Sequence, residues 1–331
     1  MKKLTIQILF SVLVACLLSL LVSCGQSQKQ SDRSTETQLS VESHEKNLSL
    51  PVVPDSITDT NEKLNYLITH YWKNFNIQDT TLLSDPDYTE QAYVDYLSFL
   101  FRTEKSFALE SLRNLLIFSE KEPTGTAFRY FIDQSRKYLF DPNSPFRNDE
   151  FYIPIVEYII ASKNPILNHA DKERAKYNLK MMLKNRVGEK ANDILYTRVD
   201  GTQSSLYKIE SAYTILFFND PDCTACKEAT QLFKDSEVIG SLLETNQLQI
   251  LAFYTGSDYN AWRKHQKNIP TSWISGYDKD GFVSANEDYD LKATPTLYLL
   301  NRSKKVLLKD VDDTQIIYWL QENALSPLIV N

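Results

Sequence analysis

The chain has 331 residues, 42% of them apolar and 24% charged, with only 8 Gly and 12 Pro. That composition excludes a collagenous, low-complexity or wholly disordered protein, and a chain of this length can bury a sizeable core without disulfide staples. The formal charge is −7, from 36 basic and 43 acidic residues with no basic cluster, which speaks against nucleic acid and anionic lipid surfaces as partners.

Met1-Lys2-Lys3 is followed by an apolar run from Leu4 to Val22 that ends at Ser23-Cys24. A basic start, a short apolar stretch and small residues at its end describe a secretory leader. The run is close to spanning length, so an uncleaved anchor is the alternative. Leu21-Val22-Ser23-Cys24 resembles a bacterial lipobox. The resemblance implies removal of residues 1–23, Cys16 included, and a diacylglyceryl group on Cys24. Two acyl chains meet the requirement for stable anchoring. It also implies a lipid-anchored protein of the cell envelope that faces the periplasm, with Gly25 favouring the outer membrane over the inner. Residues 24–54 are rich in Ser, Gln, Thr, Glu and Lys and contain no aromatic residue. They bury too little apolar surface to fold and read as a flexible tether, with a reach of about 30 Å. Pro51 and Pro54 mark where structure begins.

Over residues 55–187 apolar side chains recur at helical spacing. Leu64, Leu67, Ile68, Tyr71 and Phe75 form a first stripe, and Tyr93, Tyr96, Leu97 and Leu100 a second. Leu109, Leu112, Leu115 and Leu116 continue the pattern, then Phe128, Phe131, Ile132 and Leu139. Tyr152, Ile155, Val156, Ile159 and Ile160 follow, and last Ala175, Leu179 and Met182. Asp85-Pro86, Glu122-Pro123, Asp141-Pro142 and Asn164-Pro165 punctuate the stripes. An all-α domain of about six helices, closed by Val187-Gly188, is predicted. Its aromatic residues, among them Phe128, Phe131, Phe151 and Tyr152, suit a core or a ligand groove, and the core is the plainer reading. Arg174, Lys176, Lys180, Lys184 and Arg186 read as the solvated side of the last helix.

The periodicity changes over residues 188–331. Ile194 to Val199 reads as a strand with a turn at Asp200-Gly201, and Tyr213 to Phe218 as a second strand. Thr224 to about Phe233 looks helical, and Leu248 to Tyr254 is a buried strand. Thr296–Leu300 and Val306–Lys309 form a predicted hairpin, and Thr314 to about Asn323 a terminal helix. Strand–helix–strand followed by hairpin–helix is the order of an α/β sandwich.

Chemistry concentrates at Asp222-Cys223-Thr224-Ala225-Cys226-Lys227, the one C-x-x-C of the chain. It leaves a predicted strand and opens a predicted helix, as a redox motif should. At a helix N-terminus, unpaired N–H groups and the dipole favour a thiolate on the first cysteine, and the second lies one turn on, within reach to resolve a mixed disulfide. Ala293-Thr294-Pro295-Thr296 precedes a predicted strand. With these two motifs in register the chain resembles thioredoxins over residues 190–325, and the long separation between Cys226 and Pro295 resembles the TlpA/ResA-like branch. The layout as a whole is similar to Bacteroides-type lipoproteins that join a helical domain of unknown function to such a fold. The resemblance implies an α/β thioredoxin-like C-terminal domain behind an all-α N-terminal one, and a cis proline at Pro295 facing the cysteines. A cis X–Pro bond costs only about 0.5–1 kcal/mol, so a fold can hold it.

Departures from the thioredoxin pattern are visible. Asp222 replaces the usual Trp, Thr224-Ala225 replaces Gly-Pro, and Phe217 stands where a buried Asp would assist proton transfer. Relatives with an insertion use a Glu there instead, and Asp278, Asp280, Glu287, Asp288 and Asp290 are the candidates. An Asp222 carboxylate turned toward Cys223 would oppose its thiolate. An inert disulfide is the competing reading of the pair in an exported protein, although so small a loop stabilises little. His44, His70, His169 and His265 show no metal-ligand spacing; a peroxiredoxin fits poorly, since Asp220 stands three residues before Cys223 where a Thr or Ser would be expected, and a copper carrier fits poorly because the pair is C-x-x-C rather than C-x-x-x-C. The expectation is a membrane-anchored thiol–disulfide oxidoreductase of reducing direction. Cys223 and Cys226 would be catalytic, Thr294 and Pro295 substrate-binding, and Cys24 lipidated, with no metal and no cofactor beyond the cysteine pair. Its partners would be periplasmic protein thiols or disulfides, an upstream thiol reductant and the membrane. A lipoprotein scaffold with a catalytically retired thioredoxin fold is the alternative.

Overall fold

A computed structural model describes residues 47–325, all within one compact unit. The leader, Cys24, His44 and most of the tether lie outside the described residues. Ordered packing starts several residues before the expected boundary at 55, because Leu48 and Pro51 are buried and the Ser49 carbonyl accepts from Asn74 Nδ2 at 3.0 Å. No helix among the described residues is long and apolar enough to cross a membrane.

The helical half contains α1 (Thr60–His70), α2 (Gln91–Leu100), α3 (Lys105–Ser119), α4 (Thr126–Leu139), α5 (Asp149–Ala161) and α6 (His169–Met182), as the apolar stripes predict. Side chains mark the starts. Asp59 accepts from the N–H groups of Asn61 and Glu62, Asn148 from that of Phe151, and Asn168 with Asp171 closes a capping box. Gly125 enters α4 at φ 78°, where a Cβ would also press on Ile166 at 3.1 Å. Phe128, Phe131, Phe151 and Tyr152 are buried, so the aromatic abundance is core rather than groove. Tyr93 and Tyr96 are fully buried too, and their hydroxyls pair with those of Ser135 and Ser111 at 2.9 and 2.8 Å. Helix α6 stops at Met182 rather than at Val187-Gly188, since Asn185 turns left-handed at φ 49° and its side chain bonds the Asn192 N–H and the Asp288 carbonyl.

The second half is a seven-stranded sheet in the order β2-β1-β5-β4-β3-β6-β7. The strands are β1 (Leu195–Thr197), β2 (Gln203–Ser205), β3 (Tyr213–Phe218), β4 (Leu248–Tyr254), β5 (Ile274–Tyr277), β6 (Thr296–Asn301) and β7 (Val306–Lys309). Strands β3, β4 and β5 run parallel, and the other pairings are antiparallel. Alternation divides the side chains. Ile215, Phe217, Ile250, Ala252, Leu297 and Leu299 meet α7 (Thr224–Asp235), α8 (Glu237–Glu244) and α11 (Asp313–Leu320), while Leu216, Phe218, Leu251, Phe253, Tyr298 and Leu300 face the opposite side. The fold class is thus an all-α half followed by an α/β half. Sequence periodicity missed β2, β5, α8, α9 (Tyr259–His265) and α10 (Phe282–Ala285). These elements are short, and α9 buries a single residue, Trp262, so their pattern is too brief to read.

Candidate functional site

Strand register builds the site. Phe218 at the end of β3 is paired with Thr296 at the start of β6, so the loop leaving β3 and the segment preceding β6 are neighbours. Asn219 continues the ladder with its N–H on the Phe253 carbonyl at 3.0 Å, and Asp220 then turns the chain by accepting the Asp222 N–H at 2.9 Å. Cys223 follows as the N-cap of α7. Its Sγ accepts the Cys226 N–H at 3.0 Å and lies 3.3 Å from the Thr294 carbonyl oxygen. A disulfide joins Cys223 to Cys226, whose Cα atoms are 5.2 Å apart. Cys226 is buried and Cys223 only half-buried, so the first sulfur is the one a partner can reach. The Thr294–Pro295 peptide is cis, with Thr294 exposed and Pro295 half-buried. Four of the five residues singled out from the sequence therefore meet at one place, and the fifth, Cys24, lies outside the described residues.

The Cys226 N–H and the first turn of α7 supply partial positive charge at the Cys223 sulfur, and the Thr294 carbonyl is placed to accept from a thiol there.

Phe217 is fully buried on the same face as Cys226, with its ring edge-on to Phe233 and Trp273. Three of the acids considered for proton transfer, Asp278, Glu287 and Asp290, have their carboxylates engaged elsewhere. Asp278, whose pKa burial raises, accepts the Phe282 and Val283 N–H groups at 3.0 and 3.1 Å. Glu287 receives the Tyr177 hydroxyl and Lys180, and Asp290 pairs with Lys292 at 3.0 Å. Asp280 is exposed, and the Asp288 carbonyl is bonded by Asn185 and Asn192. Among the described residues no group of His, Cys, Asp and Glu could hold a metal ion.

Two features escaped sequence reasoning. His265 at the end of α9 lies in the field of the cysteine loop. Burial, and then Lys227, press its pKa below the ordinary value, while Asp220 and Asp222 act the other way. The basic stretch that runs through the end of α6 and beyond it is the second. Lys184 donates to the Glu287 carbonyl, Lys180 pairs with the Glu287 carboxylate at 2.6 Å, and Arg186 binds Glu150 at 2.6 Å. Its solvated reading holds for Lys180, which stays exposed, and is corrected for the half-buried Lys184 and Arg186, whose acceptors lie 103 and 36 positions away in sequence.

Residues 23–185 match the family described as a domain of unknown function, DUF5106. The crystal structure of a thioredoxin-like protein from Bacteroides caccae is similar at 39% identity, over 83% of this chain and 98% of that one, with a TM-score of 0.79. The C-terminal domain of an uncharacterized Bacteroides fragilis protein is similar at 38% identity, over 41% of this chain and 98% of that one, with a TM-score of 0.41. The thioredoxin domain of a thiol-disulfide oxidoreductase from Bacteroides vulgatus shows 17% identity, over 41% of this chain and 96% of that one, with a TM-score of 0.37. No curated protein matches the chain.

Proposed function

The chain belongs to the family of the Bacteroides caccae thioredoxin-like protein, and from that premise we propose that it is a thiol–disulfide oxidoreductase acting on periplasmic proteins. The observation that carries this reading is the accessible Cys223 sulfur, met by the Cys226 N–H and the Thr294 carbonyl at a helix start. In the reducing direction the Cys223 thiolate attacks one sulfur of a substrate disulfide and forms a new S–S bond, and the other substrate sulfur leaves as a thiolate. The Cys226 thiolate then attacks Cys223 and expels the second substrate sulfur. Two electrons pass to the substrate, and the Cys223–Cys226 disulfide is returned to the dithiol by an upstream thiol reductant. The backbone around Thr294 and Pro295 would pair with the substrate chain. Lipid on Cys24 would hold the enzyme at the envelope, so Cys24→Ser should shift it from the membrane to the soluble fraction.

The test is direct. Cys226→Ser removes the resolving thiol and should accumulate mixed disulfides on Cys223 in cells, visible as adducts that a reductant releases. The reduction potential of the pair, equilibrated against dithiothreitol, should fall near or below about −270 mV for a reductant of this kind. A value near −120 mV would assign disulfide insertion instead, and a pair that cannot be cycled would overturn the enzyme.

Phe217 favours one other reading, a scaffold whose thioredoxin fold has lost catalysis. There the Cys223→Ser, Cys226→Ser double variant should keep full function in any cellular phenotype, whereas the oxidoreductase should lose it.

A further inference from the structure

Residues 287–292 lead into Thr294–Pro295, and the helical half holds them. Tyr177 and Lys180 of α6 donate to the Glu287 carboxylate at 3.0 and 2.6 Å, Lys184 donates to the Glu287 carbonyl, and Asn185 Nδ2 to that of Asp288 at 2.8 Å. The innermost link is ionic. Lys292 Nζ lies 2.8 Å from Asp149 Oδ1 and 3.0 Å from Asp290 Oδ2, while Lys309 Nζ reaches the other Asp149 oxygen at 2.9 Å. The side chains of Asp149 and Lys292 are only 7% and 10% exposed, and Lys292 Nζ sits 4.5 Å from the centre of the Phe140 ring. A carboxylate in the first turn of α5 therefore holds a residue two positions before Thr294, whose carbonyl faces the Cys223 sulfur.

We propose that Asp149 is a positioning residue for disulfide exchange, fixing the segment from Lys292 to Pro295 opposite Cys223 so that a chain-like substrate can dock along it. This role presupposes the thiol–disulfide chemistry proposed above. A buried ion pair holds its partners far more tightly than a solvated one, and Lys292 without it regains the freedom of a long, flexible stem. The consequence falls on substrate docking and leaves the sulfur chemistry alone, because Asp149 touches neither cysteine nor α7.

Two disulfide probes separate these effects: insulin, whose disulfides lie on peptide chains, and the small aromatic disulfide DTNB. With dithiothreitol returning the full chain to the dithiol after each turnover, Asp149→Asn should raise KM for insulin about tenfold with kcat nearly unchanged, the pattern of lost uniform binding. For the reduced full chain, its reaction with DTNB and the pH profile of Cys223 alkylation by iodoacetamide should stay as in the wild type, and Asp149→Glu should restore most of the insulin KM. Lys292→Gln should produce the same loss, and the double variant no more than either single one, since both act through one contact. Equal slowing of both probes, an unchanged insulin KM or additive losses would each overturn the role of Asp149. Should Asp149→Asn fail to fold, Glu287→Gln loosens the same segment from its surface end, and a rise in insulin KM without a change toward DTNB is again expected. A wild type that reduces neither probe removes the thiol–disulfide reading and this role with it. A wild type that reduces both, beside variants that match it, removes only this role.

Discussion

Lys304 is buried, and its Nζ donates to the Ile209 carbonyl at 2.7 Å and the Thr214 hydroxyl at 3.0 Å. Neither acceptor carries charge, so burial, with repulsion from Arg302, lowers its pKa to about 8. The unfolded chain keeps that proton to about pH 10.4, so between these values it binds more protons than the folded one and stability rises with pH. Denaturant unfolding of the wild type against Lys304→Met should therefore shift by about 2–3 kcal/mol in favour of the wild type between pH 7 and pH 10. A constant difference would mean that the amine is solvated. Glu150 gives the same sign of pH dependence from a stabilised charge. A hydrogen bond from Arg186, aided by Lys105, lowers it to about 2. Its contribution is complete above the unfolded value of about 4.3 and is lost as pH falls toward 2, so Glu150→Gln should flatten the acid limb of the stability curve by about 2 kcal/mol.

Single elements show which local signals suffice to place them. Asn168 and Asp171 close the capping box of α6, the helix that also carries Tyr177 and Lys180. Asn168→Ala should cost about 1 kcal/mol and lower Tm by about 2–4 °C, measured by circular dichroism. Strands β3, β4, β6 and β7 were legible because they are apolar runs bounded by turn residues. Strand β5, with Gly276 among its four residues, was not, and its place beside β4 is set by the parallel pairing of Leu251–Tyr254 with Ile274–Tyr277. The cysteine pair was legible for a similar reason. Its spacing, the preceding strand and the following helix are all local. The acids of residues 278–290 were not, because their partners come from α10, from α6 and from Lys292.

At the scale of the whole molecule, the two halves are joined through buried charge. Asp149 accepts from Lys292 and pairs with Lys309, Lys309 donates to the Met182 and Lys184 carbonyls at 2.8 and 2.9 Å, and Arg147 pairs with Asp310 at 3.1 Å. Asp149→Ala would leave two buried ammonium groups short of a partner, and equilibrium unfolding should show a loss of about 3–5 kcal/mol. Because α5 and α6 are bonded to β7 and to the segment before β6, both halves should melt in one transition in the wild type, and a two-step melt would refute that coupling.

The amino-acid sequence by itself determined the helical half, the main strands, the cysteine motif and the Thr294-Pro295 landmark. Each is written in the spacing of neighbouring residues, where 3.6-fold or twofold periodicity, caps and turn chemistry act over a few positions. Only the tertiary structure decided that Phe218 pairs with Thr296 and so sets Thr294 beside Cys223. It alone decided that Lys184 and Arg186 turn from water to the Glu287 carbonyl and to Glu150, and that Asp149 reaches Lys292 across 143 positions. Charges of this kind carry no periodic signature. Whether one is solvated or buried in a pair depends on which distant segment folds against it, and that is settled only when the core closes.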